Sequence, residues 1–252
     1  MDKLKMDNNI SKTKKSFEAS FSEAEYYNKQ TQDPEHLNSI LNVLTLKDED
    51  ILLDLGTGSG YLAFAIAKKY PRITIIGLDI VTDTLNKNKK KAQDQGISNI
   101  EFVNYDGENF PFRNEYFNWV VSRYALHHFP DIQHTICEVE RVLKHSGSFF
   151  ISDPTPNDID VLRFVDTYMQ LKDDGHNKFY TLDEFIMYAN NSGMKYANSY
   201  LSSIRFPRKI ERRCFDLLQK TNDKIKQSYN IKVIKDECYI SENVVNAIFL
   251  KL

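Results

Sequence analysis

The 252-residue chain has few of the residues that form covalent or metal cross-links. Its three cysteines are widely spaced and form no C-x-x-C pair, which favours free thiols in a reducing compartment over disulfides or zinc ligands. The formal net charge is only −2, so no overall field attracts nucleic acid or an anionic membrane. No apolar run reaches transmembrane length, and residues 1–15 contain no signal-peptide core. These absences predict a cytoplasmic protein without a bound metal.

Against this background, residues 51–60 stand out, with the sequence I-L-L-D-L-G-T-G-S-G. An apolar run that ends in Asp54 is typical of a buried parallel strand. Three glycines alternate after it, and residues 61–69 then have the pattern of a helix. Strand, glycine turn and helix form the first unit of a doubly wound, nucleotide-binding α/β sheet.

The spacing of these glycines discriminates between ligands. A dinucleotide-binding turn needs a small residue at its sixth position, where this chain has Tyr61. Asp54 would also repel a pyrophosphate, whereas it would attract a cation such as an α-ammonium group. The motif D-L-G-T-G-S-G instead resembles the first motif of class I methyltransferases, which use S-adenosylmethionine. This resemblance implies cofactor contacts at Asp54, Gly56, Thr57, Gly58 and Gly60.

Two further predicted strands also end in carboxylates. They cover residues 73–79 and 100–106, and they end in Asp79 and Asp106. Because the carboxyl ends of parallel strands meet at the ligand-binding edge of such sheets, these side chains are expected near Asp54. Asp79 can accept hydrogen bonds from both ribose hydroxyls, and the resemblance implies that Asp106 accepts the adenine amino group. It also places Ile80, Gly107 and Glu108 in the cofactor site.

The fourth predicted strand, residues 117–123, continues into R-Y-A-L-H-H-F. This segment resembles the small-molecule branch related to the quinone-biosynthesis C-methyltransferases, which implies that Ser122 and Arg123 contact the cofactor through the main chain. His127 and His128 follow. Adjacent histidines cannot easily converge on one metal ion, so no metal site is predicted. Structural packing and a general-base role both stay open for them, and no catalytic residue is assigned.

The resemblance implies one methyltransferase domain over residues 1–252, with a Rossmann-like, seven-stranded mixed sheet whose last strand is antiparallel to the sixth. We expect residues 1–45 to form a helical lid, residues 46–153 the cofactor-binding core, and residues 154–180 and 208–235 the cap insertions. Within the insertions, a helix is expected over residues 159–171 and another over residues 211–229. Residues 1–16 are polar and predicted to be frayed, with a helix over residues 17–30. Tyr27 is expected over the cofactor, and His128, His176 and Tyr180 are expected in the substrate pocket.

The predicted activity is methyl transfer from S-adenosylmethionine to a small molecule by in-line displacement, leaving S-adenosylhomocysteine. No nucleic-acid or membrane partner is expected, and the chain is expected to be a monomer or homodimer. Two alternatives stay open. One is a protein that binds S-adenosylmethionine without catalysis, and the other is an RNA or protein methyltransferase. The amino-group motif N/D-P-P-Y/F of many nucleic-acid methyltransferases is replaced here by Ser122-Arg123-Tyr124-Ala125.

Overall fold

A computed structural model describes residues 3–22, 32–172 and 174–252. The strands of this described chain form a single mixed sheet in the order β3-β2-β1-β4-β5-β8-β6, with the short β7 pairing with β8. Strands β1 to β5 run parallel, and β8 lies antiparallel between β5 and β6. The predicted doubly wound mixed sheet is therefore confirmed. It has eight strands rather than the predicted seven, because the short β7 is added beside β8. The strands are β1 Ile51–Leu55, β2 Thr74–Asp79, β3 Ile100–Asn104, β4 Phe117–Arg123, β5 Leu143–Thr155, β6 Met194–Lys209, β7 Lys232–Ile234 and β8 Glu237–Lys251.

Helices cover both faces of the sheet and the edge where the parallel strands end. The α-helices of the described residues are α1 Lys3–Ser22, α2 Pro34–Val43, α3 Tyr61–Lys69, α4 Thr82–Asp94, α5 Ile132–Val142, α6 Phe164–Gln170, α7 Leu182–Asn191, α8 Arg212–Lys220 and α9 Asp223–Ser228. A single 3-10 turn, Leu126–His128, follows β4.

Three helix predictions need correction. Residues 3–16 are helical rather than frayed, because α1 begins at Lys3 and continues to Ser22; residues 23–30 of the helix predicted over 17–30 lie outside the described residues. The helix expected from Ile159 begins only at Phe164, since the Asp160 carboxylate accepts the first two amide groups, from Phe164 and Val165. The single helix expected over residues 211–229 is two helices, the second capped by the Asn222 side chain.

The core consists of two clusters on the sheet and a third in the cap. Side chains of β1 point alternately to the two faces of the sheet, and apolar residues occupy both faces. Leu52 belongs to one cluster, whereas Leu53 and Leu55 belong to the other. The third cluster joins α6, α8, α9 and the start of β8, and Tyr168 and Tyr229 are fully buried in it. The two insertions thus pack on each other to form one cap.

The described residues include no helix that is long and apolar enough to cross a bilayer. All three cysteines are free thiols, as predicted; Cys137 is exposed, whereas Cys214 and Cys238 are buried.

Candidate active site

The glycine turn folds back against the end of β2. The amides of Gly56 and Thr57 both donate to the Leu78 carbonyl, at 2.9 and 3.1 Å. Gly56 has a φ of +71°, and a Cβ there would lie 2.5 Å from the Ala125 side chain. Only glycine satisfies both conditions, since it alone adopts this φ without strain and leaves room for the Ala125 methyl group.

Two buried carboxylates lie beside this turn. Asp54 accepts the Thr57 hydroxyl at 2.7 Å, and Asp79 accepts the backbone amides of Gly58 and Val81 at 2.8 and 2.9 Å. Burial raises the pKa of Asp54 to about 6, the charge of Asp79 adds to the rise, and the Thr57 hydrogen bond opposes it. Burial also raises the pKa of Asp79, against the effect of its amide donors. Among the salt bridges of the described residues, none involves Asp54 or Asp79, although the more distant Arg123 charge slightly lowers the pKa of Asp54. A cationic ligand would therefore supply a direct partner for a carboxylate here.

A cavity of about 460 Å³ opens over the carboxylates, within the usual size range of small-molecule sites. Most of the residues predicted for the cofactor or substrate line it: Asp54, Gly56, Thr57, Gly58, Asp79, Ile80, Gly107, Arg123, His128 and His176. The guanidinium of Arg123 lies over the Tyr61 and Tyr124 rings, 4.9 and 4.0 Å from their centroids. The structure thus brings ten of the predicted residues together in the lining of one cavity.

Other predicted residues lie outside this lining. Tyr180 packs against Phe185 and Tyr188 in the sheet core, so the structure does not bring it to the cavity. Ser122 is buried and donates through its hydroxyl to the Leu55 carbonyl. Tyr27 lies outside the described residues. The remaining members of the predicted set that are absent from the lining are Gly60, Asp106 and Glu108.

Helix α1 forms a wall of the cavity. Four of its residues line it: Ile10, Thr13, Ser16 and Phe17. A Cβ at Gly107 would meet the Ile10 side chain at 3.1 Å, and a Cβ at Gly175, where φ is +77°, would overlap the Thr13 hydroxyl. The Asn9 amide also donates to the Asn177 side chain at 2.9 Å. The helix is therefore docked on the cofactor loops and on the cap loop at once.

Three histidines meet at the inner side of this cavity. The ring of His127 lies 4.2 Å from that of His128 and 5.5 Å from that of His176, measured between centroids. His127 Nδ1 hydrogen-bonds to both carboxylate oxygens of Asp153, at 3.0 and 3.1 Å. His176 Nε2 lies 2.9 Å from Asp166 Oδ1. The central His127 and the outer His176 are thus each held by a carboxylate.

The cap supplies residues that the sequence prediction missed. Lys172, Arg208 and Glu242 line the cavity, and Arg208 Nη2 pairs with Glu242 at 2.7 Å. Burial and the nearby Arg208 charge lower the pKa of Lys172 to about 8. No sequence motif marks these residues, because they come from distant segments. A signal did exist for Asp153, which follows the pattern of a carboxylate at the end of a parallel strand.

Comparison with known proteins agrees with this geometry. The family described as Methyltransferase domain matches residues 46–238. An uncharacterized methyltransferase, YcgJ of Bacillus subtilis, is 31% identical over 152 residues, which are 60% of this chain and 59% of that protein. A ubiquinone/menaquinone biosynthesis C-methyltransferase of Rickettsia prowazekii is 35% identical over 103 residues, 39% of this chain and 42% of the relative. The matches thus span less than two thirds of these relatives.

Solved structures share the fold. The crystal structure of YcgJ from Bacillus subtilis superposes with a TM-score of 0.78 at 23% identity, covering 87% of this chain and 99% of that one. Phosphoethanolamine N-methyltransferase 2 of Haemonchus contortus was solved with phosphomonomethylethanolamine and S-adenosylhomocysteine. It superposes with a TM-score of 0.61 at 16% identity, and the match covers 86% of this chain and 52% of that one.

The site fits the methyl donor of this fold. S-adenosylmethionine carries an ammonium and a sulfonium group but no phosphate. The buried carboxylate of Asp54 would attract such a cation, and Asp79 would accept hydrogen bonds from its ribose hydroxyls. With the family match over residues 46–238 and this arrangement of strand ends, the chain belongs to the methyltransferase domain family, and its cofactor is S-adenosylmethionine.

Proposed function

We propose that this chain is a methyltransferase that moves the activated methyl group of S-adenosylmethionine to a small-molecule acceptor by in-line displacement. The observation that carries the proposal is the continuity of one cavity from Asp54 and Asp79 to the histidines and the cap. A ligand at the carboxylates and an acceptor at the histidines would share that space, so their reacting atoms could be held in line.

Asp54 and the backbone of the glycine turn would hold the amino-acid end of the cofactor. Asp79 would accept the ribose hydroxyls, with Ile80 and Gly107 beside the adenosine. Gly60, Asp106, Glu108 and Ser122 would support these loops from outside the lining; Asp106 already accepts the amides of Glu108 and Asn109 at 2.8 and 2.9 Å. When bound, the cofactor supplies a methyl group already activated by positive sulfur, so the protein mainly orients the reactants and excludes water.

The acceptor is proposed to be small because the cavity is walled on several sides. Helix α1 covers it from one side, and the cap residues Met169, Phe179 and Arg208 line it on the other. A folded protein or an RNA duplex would have to displace both walls to reach the histidines. The similarity to quinone-biosynthesis methyltransferases supports the same class of acceptor.

Calorimetry and a product assay test the proposal. The protein should bind S-adenosylmethionine and S-adenosylhomocysteine, and it should give no heat with NAD. The product assay would follow S-adenosylhomocysteine formation against a panel of phenols, amines and carboxylic acids. Tight binding of NAD with no response to S-adenosylhomocysteine would overturn the assignment. Cofactor binding without product from any acceptor would favour the non-catalytic binding protein.

A further inference from the structure

The Asp153–His127 pair has an arrangement that packing alone does not require. Asp153 is fully buried near the end of β5, and both of its carboxylate oxygens lie within hydrogen-bond distance of His127 Nδ1. His127 is also buried, yet it lines the cavity. A buried carboxylate costs free energy, and both of its side-chain hydrogen bonds within the described chain go to one imidazole, that of His127.

This contact fixes which ring nitrogen of His127 can act as a base. A carboxylate can only accept, so Nδ1 carries the proton and donates it in a hydrogen bond to Asp153. The lone pair is then on Nε2, at the opposite edge of the ring. The backbone carbonyl of His127 accepts the amide of Asn177 at 2.9 Å, so the cap loop also holds the turn in place. The imidazole is thereby fixed in position and in tautomer at the cavity wall.

The two neighbouring histidines are not held in this way. His128 Nδ1 is buried and has no hydrogen-bond partner within the described chain, and its ring packs edge-on against Phe17 of α1. His176 is bound to Asp166 through Nε2 rather than Nδ1. Among the described cavity residues, His127 therefore has the arrangement expected of a general base.

We propose that His127 is the general base of the transfer and that Asp153 is its positioning residue; this rests on the function proposed above. The acceptor class follows: its attacking atom carries a proton that must leave, as in a hydroxyl group or an amine. The acceptor X–H gives its proton to Nε2, and its lone pair forms the new X–C bond. The S–C bond breaks with its electron pair going to sulfur, so the products are methylated acceptor, S-adenosylhomocysteine and a protonated imidazole.

The surroundings keep this imidazole neutral and ready to accept a proton. Burial lowers the pKa of His127 well below its usual value, and the nearby His176 lowers it further. Transfer should therefore stay active down to acidic pH, because the base loses its function only when it is protonated in advance. The other ionisable groups that face or influence it are Asp153, His128, Asp166, Lys172 and Asp174.

Nitrogen NMR of the histidine side chains tests the tautomer without any acceptor. In the full chain with S-adenosylhomocysteine, His127 should carry its proton on Nδ1 and stay neutral at pH 7. Asp153→Asn should move the proton to Nε2, because the asparagine amide can donate to Nδ1. A wild-type His127 with its proton on Nε2, or a protonated ring at pH 7, would overturn the proposal.

Kinetics test the role itself. His127→Gln and Asp153→Asn should each lower kcat by about 10²–10⁴-fold, with KM for S-adenosylmethionine and affinity for S-adenosylhomocysteine within twofold of wild type. His134→Gln, at an exposed position on α5, is the matched control and should change neither. Added imidazole should partly restore His127→Ala. With catechol as a hydroxyl probe and octanoate as a carboxylate probe, only the catechol reaction should need His127.

Two outcomes separate this inference from the function on which it rests. If wild-type protein methylates catechol or another protic acceptor and His127→Gln does so equally well, the general base is overturned while the methyltransferase stands. If wild-type protein forms no product with any acceptor, the proposed function fails, and the NMR result alone then decides whether the pair has the tautomer described here.

Discussion

The two halves of the cavity are built in opposite ways. Most of the cofactor half comes from one short stretch, residues 54–81, in which the glycine turn and the two carboxylates bond to each other. Gly107 and Arg123 are added to it by later segments. The histidine half is assembled from α1, the turn at residues 126–128, β5 and the loop at residues 174–179. The first half can form as soon as one βαβ unit folds, whereas the second exists only when the whole tertiary structure is in place. The predictions below test that difference.

The largest effect should come from removing residues 1–30. The three core clusters contain no residue of α1, so the protein should stay folded. The cavity would lose the wall formed by Ile10, Thr13 and Phe17, and affinity for S-adenosylhomocysteine should fall by about 100-fold, about 2.7 kcal/mol. Calorimetry measures this, with exposed Lys15→Ala as a control that leaves binding intact. Full affinity in the truncated protein would show that the cofactor half needs no lid.

Asp79→Ala tests the cofactor half itself. Loss of a charged acceptor should weaken binding of S-adenosylhomocysteine by about 1.5–3 kcal/mol. The melting temperature should change little, because Asp79 lies at a strand end. Asp83→Ala, an exposed carboxylate in the first turn of α4, is the matched control. A large fall in melting temperature with unchanged ligand affinity would instead show that the role of Asp79 is structural.

A pair of glycine substitutions isolates the contact between α1 and the cap loop. Gly175 and Gly193 have φ values of +77° and +83°, so alanine strains the backbone similarly at both. Only at Gly175 would the new methyl group overlap Thr13, whereas nothing lies within 4 Å at Gly193. Ligand affinity should therefore fall by about 1–2 kcal/mol more in Gly175→Ala than in Gly193→Ala. Equal effects, together with unchanged hydrogen exchange in α1, would show that the contact contributes nothing to binding.

The smallest effect should be a pH dependence from Asp54, whose pKa is about 6. As the pH falls from 7 to 5, its carboxylate is protonated and loses its attraction for the ligand ammonium. Affinity for S-adenosylhomocysteine should fall about tenfold, about 1.4 kcal/mol. Asp54→Asn should bind weakly at both pH values, so a wild-type affinity that is flat over this range would argue against the contact.

The same group affects stability in the opposite direction. The folded-state pKa of Asp54 is raised above the unfolded value of about 3.9, so burial of its charge destabilises the ligand-free protein at neutral pH. The stability that this group contributes is present below pH 4 and is lost as the pH rises through about 6. Thermal melts at pH 7 should therefore show Asp54→Asn to be more stable than wild type.

The sequence predicted the cofactor half well because its determinants are local. The strand, the glycine spacing and the carboxylate of Asp54 lie within ten residues, and β2 adds Asp79 by simple parallel pairing. The cap half could not be predicted to the same degree. Tyr180 and His176 are four residues apart, yet one packs in the sheet core and the other lines the cavity. Which of the two side chains reaches the cavity depends on the backbone path between them, and the sequence alone does not give that path.

Helix α1 shows the same limit. Its residues are mostly polar, so the sequence does not mark those that line the cavity. Ile10 and Thr13 can pack there only because Gly107 and Gly175 leave room for their side chains. Asp153 is a different case, because a carboxylate at the end of the fifth strand followed the pattern already seen at Asp54 and Asp79. Its partner could not be inferred, since the pairing with His127 joins residues 26 positions apart.

Strand β8 has a consequence for how the chain folds during synthesis. It lies between β5 and β6 and pairs with both, from residue 237 to residue 251. Until these residues leave the ribosome, β5 and β6 cannot be joined, and each has an open edge able to pair with another chain. The cofactor half could already be folded at that stage, while the sheet as a whole stays open to aggregation. Dependence on a chaperone should therefore last until residues 237–251 have been synthesised.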